Sequence, residues 1–63
     1  MDNTASLRKK AERYEQVAQV QDEVARAATS EQRREDYRAA AHYWRSQAGV
    51  LRRVAQRRER ETW

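Results

Sequence analysis

The chain has 63 residues, carries 14 Lys and Arg against 10 Asp and Glu for a formal net charge of +4, and contains neither Cys nor Pro. This length provides for one small domain, and because the lack of Cys excludes disulfides and Cys-based zinc sites, oligomerisation is the stabilising element that remains for so short a chain. No apolar run approaches the roughly 20 residues needed to span a bilayer, and the first residues lack the order of a signal peptide, so we expect a cytoplasmic protein.

The first predicted helix runs from about residue 5 to about residue 28. Side chains that cap helix N-termini are frequent at its start, where the chain has Asp2, Asn3, Thr4 and Ser6. Two heptad rows run along this helix, one of small and one of large residues: Ala11, Ala18 and Ala25, and Leu7, Tyr14 and Gln21. Rows with this alternating spacing of three and four residues indicate a coiled-coil seam.

A turn at about residues 29–31 separates the first helix from a second, which is predicted over about residues 31–60. Thr29 and Gln32 have the spacing of a capping box, in which a hydroxyl and an amide satisfy the free N–H groups of a new helix. Gly49 is the only Gly and there is no Pro to end this helix early. Its two heptad rows repeat the pattern of the first helix, with small residues Ala41, Ala48 and Ala55 and large residues Tyr37, Trp44 and Leu51.

Folding the chain back at residue 31 sets an alanine against each larger seam residue. The predicted pairs are Leu7 with Ala55, Ala11 with Leu51, Tyr14 with Ala48, Ala18 with Trp44, Gln21 with Ala41, and Ala25 with Tyr37. Small residues opposite large ones allow the layers to interdigitate at native density. The predicted fold class is therefore all-α, a single antiparallel two-helix hairpin with an Ala-rich coiled-coil seam.

The seam does not use all of the apolar residues. At about 100° per residue, further apolar side chains lie to one side of the seam on each helix, namely Val17, Val20, Val24, Tyr43, Val50 and Val54. One narrow seam does not offset a chain entropy of about 1 to 2 kcal/mol per residue. We therefore expect these six residues to form the interface of a homodimer, most simply a four-helix bundle.

The positive charge belongs to the second helix, because residues 32–63 hold nine Arg and four acidic residues whereas residues 1–31 hold five basic and six acidic ones. On the helical wheel Arg34, Arg38, Arg45, Arg52 and Arg53 are expected opposite the seam, within about 100° of one another. Such a stripe is typical of a nucleic-acid-binding surface, and equally of a solvated face in an Arg-rich chain. Together with the end of the helix, the candidate binding residues are Arg34, Arg38, Arg45, Arg52, Arg53, Arg57, Arg58 and Arg60.

The segment from Arg52 to Glu61 resembles the arginine-rich helices of phage antiterminator proteins, which bind RNA hairpins. This resemblance implies guanidinium contacts to phosphate and a stacking aromatic, for which Trp63 is suitably placed. A frayed, solubilising helix end is the alternative interpretation. In length and hairpin plan the chain is also similar to the Rop-type plasmid regulators, which dimerise into four-helix bundles and bind RNA, but no shared motif transfers functional residues from them.

Catalytic patterns are absent from the sequence. His42 is the only histidine and is expected at the surface, and no phosphate loop, metal-ligand spacing or nucleophile motif occurs. We therefore expect a protein that is not an enzyme and that has no cofactor, metal, small-molecule substrate or membrane partner. Two functions stay open: binding to an unidentified protein partner as an adaptor, neutraliser, inhibitor or regulator, and, as the alternative, regulation through nucleic-acid binding.

Overall fold

The computed structural model describes residues 3–61, which form two α-helices packed against each other. Helix α1 spans Thr4–Ala27 and helix α2 spans Glu31–Glu61. These bounds lie within one residue of the predicted limits. The described residues include no strand, and the Cα atoms occupy a rod of 51 × 13 × 11 Å. The prediction of an all-α fold of two packed helices is thus confirmed.

The turn between the helices begins at Ala28, whose ψ angle of 135° takes the chain out of the helical region. Its N–H still donates to the Ala25 carbonyl at 3.2 Å. Its own carbonyl accepts two hydrogen bonds, at 3.2 and 3.3 Å, from the Arg34 guanidinium in the first turn of α2. Arg34 therefore satisfies a carbonyl at the end of α1 that has no partner within the helix.

Ser30 is the residue that caps α2. Its Oγ accepts the Arg33 N–H at 3.4 Å, and its carbonyl accepts the Arg34 N–H at 3.0 Å as the first helical bond. The predicted capping box of Thr29 and Gln32 is therefore wrong. The Gln32 amide instead donates to Asp36 at 3.0 Å, one turn further along the same helix. At the other helix the N-cap is Asn3, one of the four residues predicted as competent caps, and it makes no side-chain cap bond.

The interior of the hairpin consists of alanines. Among residues 3–61 the buried apolar residues all belong to the two small rows, Ala11, Ala18, Ala25, Ala41, Ala48 and Ala55, and each is at most 2% exposed. Thr4, one heptad before Ala11, extends the small row of α1 and is also buried. The sequence pattern indicated Thr4 only as a cap, so its burial is a feature that the pattern did not predict.

The large seam residues are only half-buried, namely Leu7, Tyr14, Gln21, Tyr37, Trp44 and Leu51. Within residues 3–61 no large apolar side chain is completely buried. A row of single methyl groups leaves no space between the helices for a bulky side chain, so the large residues cover the flanks of the seam. Tyr14 and Trp44, each predicted to face an alanine, also contact each other with their ring centroids 5.0 Å apart.

Candidate interaction surfaces

Three ion pairs join the helices along one side of the seam, which we call the ionic edge. Arg8 donates from Nε and Nη2 to Oε1 of Glu59 at 2.9 and 2.7 Å. Arg52 binds both carboxylate oxygens of Glu15, at 3.0 and 2.8 Å. The third pair joins Arg45 to Asp22.

The ionic edge repeats with the heptad. Its members on α1 lie at residues 8, 15 and 22, and their partners on α2 lie at residues 59, 52 and 45. A step of seven residues along one helix is thus matched by a step of seven back along the other. One register therefore holds over the whole length of the hairpin. Since their side chains are 26 to 53% exposed, solvent screening keeps the contribution of each pair to stability small.

The contacts of Asp22 change the ionisation of its carboxyl group. The hydrogen bond from Arg45 holds the pKa of the Asp22 carboxyl below its ordinary value, and the positive charges of Arg45, Arg26 and Arg38 act in the same direction. Desolvation by burial opposes this shift. Asp22 therefore carries its negative charge throughout the neutral range.

The predicted position of the arginine stripe needs correction. Arg45 and Arg52 were expected opposite the seam, but they lie beside it and reach across to α1. The reason is that each directly follows a seam residue, Trp44 or Leu51, and one residue is only about 100° of rotation. Arg34 is held by the turn. Of the eight candidate residues, those whose side chains form no hydrogen bond or ion pair within residues 3–61 are Arg38, Arg53, Arg57, Arg58 and Arg60.

The opposite side of the hairpin, which we call the apolar edge, consists of the six residues predicted for a dimer interface: Val17, Val20, Val24, Tyr43, Val50 and Val54. All six directly precede seam residues of their helix, as Val17 precedes Ala18 and Val50 precedes Leu51. They therefore lie on the side away from the ion pairs. Five are exposed, by 37 to 55%, and Val54 is half-buried. The apolar edge is thus open to water in the hairpin alone.

An aromatic cluster connects the seam to the apolar edge. Trp44 contacts Tyr14 across the seam and Tyr43 on its own helix, with the second pair of ring centroids 5.3 Å apart and both pairs edge to face. The Lys10 ammonium lies 5.8 Å from the centroid of the Tyr14 ring. Tyr43 therefore contacts Trp44 on one side and is 55% exposed on the apolar edge.

Open depressions occur on this side of the rod. One of about 420 Å³ is lined by Arg13, Gln16, Val17 and Val20. Another, of about 240 Å³, lies near the turn, between Val24 and Tyr37. His42 is exposed, and no group of three or more His, Cys, Asp or Glu suited to a metal ion occurs among residues 3–61. None of the helices described is long and apolar enough to cross a membrane. The predicted stacking residue, Trp63, lies outside the described part of the chain.

No protein-family model matches the chain, and neither a curated protein nor a solved structure shows significant similarity to it. The resemblances to antiterminator helices and to Rop-type regulators therefore stay predictions. The function of the hairpin has to be inferred from its own surfaces, chiefly the apolar edge and the distribution of charge.

Proposed function

We propose that the protein is a non-enzymatic protein-binding module whose first partner is a second copy of itself. The observation that carries this proposal is the apolar edge, where five large apolar residues of a very polar chain are exposed side by side along one side of the rod. Contiguous apolar surface of this kind marks binding sites on small proteins. Two apolar edges packed face to face would form a four-helix bundle.

A second copy of the chain suits this surface because the interior of one hairpin is small and dimerisation would bury additional apolar surface. The interior of one hairpin is six alanine methyl groups and the flanks of half-buried rings. Burying a whole Val side chain contributes about 1.5 to 3 kcal/mol, so covering the exposed part of each edge residue adds roughly 1 kcal/mol. With six such residues on each of two copies, dimerisation supplies several kcal/mol to a chain that has no disulfide.

A dimer formed in this way leaves the outward faces of all four helices in contact with water. These faces carry mostly charged and polar residues, including Gln16 and Glu23 on α1 and Ser46 and Arg53 on α2. Such faces are where we expect a different protein to bind, with the hairpin acting as an adaptor, neutraliser, inhibitor or regulator. The polar composition favours a transient complex over a permanent one.

Analytical ultracentrifugation tests the proposal with two double variants of equal charge. Val20→Lys with Val50→Lys places cations on the apolar edge, whereas Gln19→Lys with Ser46→Lys places them at exposed positions outside it. We expect a dimer for the unaltered chain and for the control, and a monomer for the edge variant. A folded monomer of the unaltered chain at about 100 μM, or equal behaviour of the two variants, would refute the apolar edge as the interface.

A further inference from the structure

The positive charge of the hairpin is concentrated at the end where the chain begins and finishes. We divide the rod into a terminal half, residues 3–15 and 47–61, and a turn half, residues 16–46. The terminal half holds nine Lys and Arg against four acidic residues, and the turn half holds five of each. The net charge is therefore +5 in one half and zero in the other.

Intramolecular ion pairs do not neutralise the terminal half. Arg8 and Arg52 are paired there, with Glu59 and Glu15. The other basic residues of this half form no ion pair within residues 3–61, and we call them the terminal basic cluster: Lys9, Lys10, Arg13, Arg53, Arg57, Arg58 and Arg60. The acidic residues of the half that are left to balance these seven cations are Glu12 and Glu61.

The terminal basic cluster surrounds its end of the rod, and three of its cations, Lys9, Lys10 and Arg13, also line an open depression of about 380 Å³ on α1. Seam residues lie two positions before and two positions after Lys9, so Lys9 is on the face of α1 opposite the seam. Arg53 and Arg60 have the same heptad position on α2. Lys10, Arg13 and Arg57 lie on the side of the apolar edge. All of these side chains are exposed. Cations are thus available on both helices over about 10 Å of rod length.

We propose that the terminal half binds the phosphate backbone of nucleic acid. Binding of this kind requires only a dense cationic surface that displaces counterions from a regular array of phosphates, and it needs no groove or base contact. Five of the seven cations are Arg, whose planar guanidinium binds phosphate oxygens in pairs. A compact anion in the depression on α1 would meet only its three cations and would leave the four Arg of the cluster on α2 without a ligand.

The charge distribution also fixes where the nucleic acid lies. The neutral turn half offers it no net attraction, so we expect contact only at the terminal half. This site differs from the stripe predicted from the sequence, since Arg45 and Arg52 are paired and Lys9 and Lys10 of α1 now take part. The site borders the apolar edge through Lys10, Arg13 and Arg57. Its other side, with Lys9, Arg53 and Arg60, lies opposite the seam and stays exposed when that edge is covered.

Fluorescence anisotropy with a labelled 20-nucleotide RNA and a DNA duplex of the same length tests the site. With about five phosphates neutralised, affinity should fall roughly 10²- to 10³-fold between about 50 and 200 mM salt. The matched triple variants each lower the net charge from +4 to +1 at exposed positions. The site variant is Lys9→Gln, Arg53→Gln and Arg60→Gln, and the control is Arg26→Gln, Arg33→Gln and Arg38→Gln.

We expect the site variant to lose at least tenfold in affinity at low salt, with a shallower salt dependence, and the control to stay within about threefold. Circular dichroism checks that both triple variants remain helical. If the site variant does not, the single variant Arg53→Gln replaces it, and its affinity for RNA should also fall. No binding at low salt, equal loss in both triple variants, or tighter binding of polyglutamate than of RNA would overturn the proposal. Ultracentrifugation of the site variant shows whether it still dimerises, so a loss of nucleic-acid affinity can be distinguished from a loss of the dimer.

Discussion

Removing one methyl group from the alanine seam measures how much the seam contributes. Ala18 is completely buried between the helices, so Ala18→Gly removes a methyl group that contacts α2 and also places Gly inside a helix. The first effect costs about 0.8 kcal/mol and the second about 1 kcal/mol. We therefore expect Ala18→Gly to lower the free energy of unfolding by about 2 kcal/mol.

Ala39→Gly is the matched control, because Ala39 lies inside α2 but is exposed. This variant has the same helix-propensity penalty of about 1 kcal/mol and no buried methyl to lose. Urea unfolding followed by circular dichroism, at one protein concentration for all variants, gives the difference between the two losses. In thermal unfolding, 2 kcal/mol corresponds to roughly 8 to 16 °C for a domain of this size.

The two variants must differ if the seam holds the hairpin together. If Ala18→Gly and Ala39→Gly lose the same stability within error, the Ala18 methyl makes no contribution beyond helix propensity. The alanine rows would then not be what joins the helices. A loss for Ala18→Gly much above 3 kcal/mol would also contradict the expected contribution, since a methyl-sized cavity cannot account for that amount.

Three further predictions concern the helix backbone, the ionic edge and the dimer. A Cβ at Gly49 would have no neighbour within 4 Å. Gly49→Ala should therefore raise the free energy of unfolding by about 0.5 to 1 kcal/mol in denaturant titrations. A lower free energy of unfolding would mean that another chain lies close to this backbone. Because the pKa of Asp22 is lowered in the folded chain, its ionised carboxylate stabilises the fold fully at neutral pH, and this contribution is lost as the pH falls through the lowered pKa. The difference in free energy of unfolding between the unaltered chain and Asp22→Asn should therefore shrink in acid. A difference that does not change with pH would exclude the pair with Arg45 as its source. Two terminal halves of charge +5 repel each other, so the dimer should pack head to tail. The chain has no Cys, so when the single variants Arg13→Cys and Asp36→Cys are mixed, disulfides between the two variants should form more readily than disulfides between two copies of Arg13→Cys. A preference for disulfides between two copies of Arg13→Cys would indicate parallel packing.

The heptad rows were sufficient to predict the hairpin and its exposed edge. The small rows place Ala11 and Ala48 inside, and the residues beside them, such as Val20 and Tyr43, are exposed as the wheel requires. These predictions need only the geometry of one helix at a time. This is why they could be made before any contact between the helices was known.

Features that depend on both helices together were missed. To predict the pair of Arg52 with Glu15, one must know the position of one helix along the axis of the other, and neither helix specifies this alone. The half-buried state of Trp44 depends on how closely alanines let the helices approach, a distance that the sequence pattern does not contain. At the turn, Thr29 and Ser30 both satisfy the rule for a cap, and the choice between them depends on where α1 ends.

The alanine seam has a consequence for which mutations the chain tolerates. At each of its six buried positions, Gly weakens the helix and any larger side chain acts as a wedge, at a cost of typically 1 to 3 kcal/mol. A wedge at one position would also widen the gap that all three ion pairs bridge, so its effect would extend along the whole rod. Positions outside the seam, the apolar edge and the terminal basic cluster carry no such restriction, and we expect substitutions to accumulate there while the seam stays alanine.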